Sequence, residues 1–186
     1  MKKLLLACCL LAAACSSRAP AAKILVLDRP ETKTDQLLIV TSPAFGHDGP
    51  IPLRYSAYGA NETPPLAWSA LPSGAVSLAL VVEDPDAGSP QPFVHWTLWN
   101  LRPAPGAIPQ ALAGVTQGRN GPGKTGWYGP HPPDPKPHHY HFELFALDKN
   151  LSLPAATDRD GLVAAMNGHV LAKGQLVGVF TKPKGR

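Results

Sequence analysis

Beyond position 15 the 186-residue chain has no cysteine: all three, Cys8, Cys9 and Cys15, lie in the opening stretch. No disulfide can therefore staple the body of the protein, and no thiolate there can serve as nucleophile or zinc ligand, so stability rests on an apolar core. A Gly-x-Ser-x-Gly elbow, a His-x-x-x-His pair and a Cys-x-x-Cys pair are also missing. These absences remove the usual signatures of serine hydrolases and structural zinc sites. There is no basic run and no aromatic-rich RNA motif. The formal charge is only +4, from 17 Lys and Arg against 13 Asp and Glu, and Lys2 and Lys3 contribute two of the positive charges. No nucleic-acid partner is expected.

Proline is abundant, at 22 of 186 residues. That is about twice the ~5% usual in globular chains, and it favours strands joined by ordered loops over long helices. Hydrophobic residues make up 44% of the chain, which argues against disorder and for a single domain with a substantial core.

The opening MKKLLLACCLLAAAC carries two lysines and an apolar run from Leu4 to Ala14. This run is too short to span a bilayer as a helix and has the form of a secretory signal. Ala12-Ala13-Ala14 directly before Cys15 resembles a bacterial lipobox, in which that cysteine is lipidated and becomes the new N-terminus. The expected organisation is a signal peptide over 1–14, a tether over 15–35 beginning with the small, polar SSRAPAA, and one domain over 36–186. The mature protein is expected to be exported and lipid-anchored on the periplasmic side of a bacterial membrane. Ser16, rather than Asp, after the cysteine points to the outer membrane.

Strand signals follow in LLIV (37–40), LRYSAY (53–58), VSLALVVE (76–83), FVHWTLWN (93–100), HFELFAL (141–147) and LVGVFTK (176–182). Their spacing predicts an all-β sandwich. One helix is expected, capped by Asp158, with Leu162 and Met166 on one face and Asn167-Gly168 at its end.

Four segments place polar groups on a restricted backbone. In VVEDPDAG, proline fixes a turn from which Asp84 and Asp86 project. In FVHWTLWN, strand alternation puts His95, Thr97 and Trp99 on one face, which implies a polar side to that strand. In GWYGPHPP, Gly126 and Gly129 bracket a turn whose bare N–H groups can approach an anion. In HHYHF, His138 and Tyr140 share one parity, and His139 and His141 the other. Neighbouring histidines on an extended strand cannot converge on one ion, so no metal site is expected.

In this order the segments, with PPLAWSALP (64–72) and NGHVLAKGQLVGVF (167–180), resemble the phosphatidylethanolamine-binding protein family in its bacterial, Raf-kinase-inhibitor-like branch. The resemblance covers about Leu37 to Lys182. It implies a fold of two antiparallel sheets with few short helices, and an anion-binding pocket at one end of the larger sheet. In that family the pocket takes phosphate-like groups, including phospholipid headgroups or phosphorylated partners. Its residues correspond here to Asp84, Asp86, His95, the Gly129 backbone, His138 and Tyr140, with no cofactor and no metal. Two departures stand out, His139 where the family usually has Arg and Gly88 where it has Pro; the helix that eukaryotic members place over the pocket after the last strand is not expected here, which implies a more open site.

The expected role is a non-enzymatic, membrane-anchored binding module for a phosphate-containing small molecule, a headgroup or a protein partner. The alternatives are a phosphate-ester hydrolase using Asp84, His95 and His138, and a protease or kinase inhibitor. A histidine held by an aspartate is expected to supply the positive charge, so that phosphate binds more tightly near pH 5.5 than pH 8.

Overall fold

The computed structural model describes residues 23–104, 106–108, 112 and 114–185; the expected signal peptide and Cys15 lie outside them. In chain order the strands are β1 (Val40–Thr41), β2 (Gly49–Pro50), β3 (Ala67–Trp68), β4 (Ser77–Asp84), β5 (Phe93–Leu101), β6 (Gly106–Ala107), β7 (Thr116–Gln117), β8 (His138–Leu147) and β9 (Val170–Phe180), with helix α1 (Arg159–Met166) between the last two. They form a three-stranded sheet, β1-β3-β6, and a six-stranded sheet, β2-β9-β8-β4-β5-β7. Each described pairing of named strands is antiparallel except β2 with β9, which is parallel.

Strand β4 explains the architecture. All eight residues of SLALVVED are buried, so the strand has no solvated face and must be covered on both sides. Leu78, Leu80 and Val82 pack with Trp96, Leu98, Phe142 and Leu144 towards Val40, Phe45 and Leu66 on the small-sheet side. Ala79 and Val81 pack with Trp99, Phe145 and Leu147 against Leu162, Val163 and Met166 of α1. Burying each large apolar side chain in these two cores contributes about 1.5–3 kcal/mol. The polar face expected for β5 does not exist, because Thr97 and Trp99 are as buried as Trp96 and Leu98.

The helix starts where Asp158 Oδ1 accepts from the Gly161 N–H at 2.9 Å, and it ends before Gly168 at φ +77°. The stretch 53–58 is not a strand. Pro50 and Pro52 cannot donate to a ladder, and Leu53–Tyr55 instead closes a 3-10 turn through Tyr55 N–H to Pro52 O and Ser56 N–H to Leu53 O. Of 37–40, only Val40 enters a strand.

The segment expected as a tether, 15–35, is folded wherever it is described. Two 3-10 turns, Val26–Asp28 and Pro30–Thr32, lie against the large sheet with Val26 and Thr32 fully buried. They cover a polar cluster inside the sheet's α1 face. The Val26 N–H donates to Glu83 Oε1 at 2.6 Å, the Leu27 N–H donates to Glu143 Oε2, and Arg159 donates from Nε to Glu83 Oε2 at 2.6 Å and from Nη2 to Ile24 O at 2.7 Å. Two carboxylates buried in a strand pair need such donors, because leaving them bare costs several kcal/mol. The folded unit thus begins by Lys23 rather than at 36.

Candidate functional site

Strands β4 and β9 end, and β5 and β8 begin, at one end of the large sheet. Register sets Asp84 opposite Phe93, and His138 opposite Phe180. A pocket of about 250 Å³ opens there between Asp84, Ala87 and Gly88 on one side and Tyr128, His131, Pro132 and Pro133 on the other, with Phe93, His95, His138 and Tyr140 completing it.

Both carboxylate oxygens of Asp84 are engaged. Its Oδ1 accepts from the Asp86 and Ala87 N–H groups at 2.7 and 3.1 Å, closing the turn that Pro85 preorganises. Its Oδ2 accepts from His138 Nδ1–H at 2.7 Å. The carboxylate therefore shapes the rim loop and fixes the His138 tautomer, which leaves Nε2 for the pocket.

His95 reaches the pocket through a bulge. Val82 pairs with Trp96 and Glu83 with Val94, so His95 is the extra residue on β5. A bulge rotates one side chain out of alternation. His95 accordingly leaves the Thr97 and Trp99 side and stands edge-on to Tyr140 with ring centroids 4.9 Å apart. Its Nδ1–H donates to Tyr128 O at 2.5 Å. Burial pushes its pKa down to about 4, outweighing the raising effects of the Tyr128 carbonyl and Asp84. His95 is therefore a neutral ring with an Nε2 acceptor at ordinary pH, and the expected cationic imidazole is not found at this position.

Tyr140 is fully buried on β8, and its hydroxyl meets no partner of hydrogen-bonding geometry. Burial raises its pKa, against a smaller opposing effect of the His131 backbone, so the group stays an O–H donor. His138 and Tyr140 face inward together, while His139 faces out, as their alternation requires.

Two expected residues lie elsewhere. Asp86 is exposed and turned from the pocket, its Oδ2 accepting from the His139 N–H at 2.8 Å and from His139 Nδ1–H at 2.7 Å. Burial opposes its charge, but these bonds outweigh that and hold the carboxyl below its usual range. The Gly129 N–H is not free for an anion, because it donates to Asn61 Oδ1 at 2.8 Å. Glycine is needed there for close approach, since a Cβ would sit 2.3 Å from Tyr55 O. Reasoning from the sequence missed Phe93, Tyr128 and His131 as lining groups. Their signal was aromatic rings immediately beside the HW and WYGPHPP turns. Among the described residues, no group of three or more His, Cys, Asp or Glu can hold a metal ion.

Residues 41–181 match the family model described as phosphatidylethanolamine-binding protein. A UPF0098 protein of Methanothermobacter thermautotrophicus is 38% identical over 146 residues, covering 75% of this chain and 95% of its own. A Mycobacterium tuberculosis protein whose name proposes a lipoprotein, LppC, is 42% identical over 148 residues, covering 77% and 72%. Among solved structures, a phosphatidylethanolamine-binding protein homologue from Chlamydia trachomatis is 36% identical with a TM-score of 0.74, over 80% of this chain and 100% of that one. Escherichia coli YbcL, described as a member of the mammalian family, is 28% identical with a TM-score of 0.73, over 78% and 99%. With its two sheets, its terminal pocket and these relatives, the chain belongs to the phosphatidylethanolamine-binding protein family.

Proposed function

We propose that the protein is a lipid-anchored binding module whose pocket holds a phosphate-like anion and performs no chemistry on it. The observation that carries this reading is the Tyr140 hydroxyl: a buried donor without a protein partner, facing a pocket that also presents Nε2 of His138 and of neutral His95. An unsatisfied buried hydroxyl costs about 1–3 kcal/mol, and a ligand oxygen relieves that cost. A phosphate monoanion suits the set, because its oxygens accept from Tyr140 while its own O–H can donate to a neutral imidazole. Phosphorylated small molecules, headgroups and phosphorylated partners all carry this group.

Against hydrolysis through a seryl, threonyl, cysteinyl or aspartyl intermediate stands the described lining, which has no Ser, Thr or Cys and whose Asp84 carboxylate is held by two backbone N–H groups and His138. Export and a lipid anchor at Cys15 are supported by the leader and by the relative whose name proposes a lipoprotein, and within this reading Ser16 after that cysteine places the protein on the periplasmic side of the outer membrane. Phosphorus NMR and calorimetry with inorganic phosphate and glycerophosphoethanolamine test the reading. Saturable binding with no released product is expected. Repeated turnover of the ester, or no binding of either compound, overturns it.

A further inference from the structure

The pocket and the start of the folded chain share one end of the molecule. Lys23, the first described residue, donates from Nζ to Pro85 O at 2.7 Å and to Ala87 O, which puts it on the back of the rim loop whose Ala87 and Gly88 line the pocket. It is not free to swing away. Val26, Leu27 and Ile24 are tied to Glu83, Glu143 and Arg159, and Lys173 Nζ donates to Leu27 O at 2.7 Å. The opposite rim carries its own cation, Lys182, which donates to Pro133 O at 3.0 Å. Lys136 and Lys184 are exposed close to it in sequence, and the acidic groups at this end include Asp84, held by His138, Asp86, occupied by His139, and Asp134, which accepts from the Lys136 N–H.

We propose that this end is the membrane-facing surface, docked by its lysines on the anionic phospholipid of the bilayer that anchors the chain, and that the pocket takes its phosphate from that surface. The inference rests on the proposed anchor and phosphate pocket. Its geometry is simple: eight residue steps separate Cys15 from Lys23, a maximum reach of about 28 Å. Strand β8 alone runs about 31 Å from His138 at the pocket to Leu147 at the far end. A lipid on Cys15 therefore reaches the membrane readily with the pocket end down. With the far end down, the tether falls short. Lysines at the rim then meet negative headgroups, an attraction of about 1 kcal/mol per residue close to the surface.

Hydrogen-exchange mass spectrometry tests the orientation. The chain beginning at Cys15 is coupled through that thiol to a maleimide lipid in phosphatidylethanolamine–phosphatidylglycerol vesicles and compared with the same chain free in solution. Coupling supplies the anchor whether or not cells lipidate Cys15. Slower exchange is expected in 85–92 and 131–137, with 148–153 unchanged, and a twenty-residue Gly/Ser insertion after Ala22 should reduce the rim protection. Protection at 148–153, or none at the rim, overturns the inference even if phosphate binds in solution. Rim protection without any phosphate binding upholds the orientation and removes the pocket reading instead.

Discussion

Nδ1 of His138 lies 2.7 Å from Oδ2 of Asp84, a bond between side chains 54 positions apart in sequence that joins the start of β8 to the end of β4. It decides which histidine nitrogen meets the pocket. In Asp84→Asn the amide N–H₂ can donate to Nδ1 and drive the ring proton to Nε2, reversing the polarity presented to a ligand. Phosphate affinity should fall about tenfold, or about 1.4 kcal/mol. Nitrogen NMR of His138 should report the tautomer change; an unchanged tautomer with unchanged affinity would remove Asp84 from the site.

Tyr140→Phe separates binding from folding. The hydroxyl bonds nothing in the protein with proper geometry, so deleting it should leave stability within about 1 kcal/mol or raise it slightly. Phosphate binding should weaken by tenfold or more. Urea unfolding and calorimetry on the same sample check both halves. A large stability loss would mean that the hydroxyl is structural.

His95 makes a pH prediction of definite sign. Its pKa is depressed from 6.5 to about 4 in the fold, so the unfolded chain binds the extra proton first as pH drops. The stability it contributes is complete above pH 6.5 and is lost as pH falls through 4, on the order of 3 kcal/mol in all. Denaturation midpoints between pH 7 and pH 4 should fall less steeply in His95→Gln. Because His95 is already neutral over this range, any change in phosphate affinity between pH 8 and pH 5.5 should survive the substitution.

Much of this was readable from residues alone, for reasons that differ by element. The long strands β4, β5, β8 and β9 announce themselves because apolar runs of that length must be covered, and α1 because Asp158 and Gly168 supply its ends. The two-residue strands carry no pattern of their own; tertiary pairing makes them. Parity placed His138 and Tyr140 correctly on unbroken β8 but misplaced His95, since a single bulge residue cancels the alternation rule. Asp86 and Gly129 looked like ligands by type, yet each is taken by a partner remote in sequence, His139 and Asn61. The folded start of the chain left a trace too: Glu83 and Glu143 interrupt otherwise apolar strands, and buried carboxylates require donors from somewhere. Those donors are the backbone N–H groups of Val26 and Leu27.

At Gly129 the prediction is steric. An added Cβ would lie 2.3 Å from Tyr55 O, 2.7 Å from Asn61 Oδ1 and 2.9 Å from Ala57 N, all but one of them backbone atoms. Gly129→Ala should cost about 1–3 kcal/mol by overpacking and shift the 128–133 rim, measurable as a lowered urea midpoint. A tolerated alanine would mean that the rim yields easily.

Glu143 supplies the opposite pH sign to His95. Burial first, then repulsion by Glu83 and a hydrogen bond that the protonated acid donates to Glu83, raise its pKa well above 4.5, and its Oε1 is otherwise unpartnered. Its contribution to stability is complete below pH 4.5 and is lost as pH rises towards the folded pKa, because the unfolded chain releases the proton first. Glutamine copies the protonated acid: its carbonyl can accept from the Leu27 N–H and its amide can donate to Glu83. Glu143→Gln should therefore match the wild type near pH 4 and exceed it increasingly up to pH 8 in urea unfolding. A constant deficit across that range would show that the carboxylate is charged in the fold and that the donors around residues 24–27 fully satisfy it.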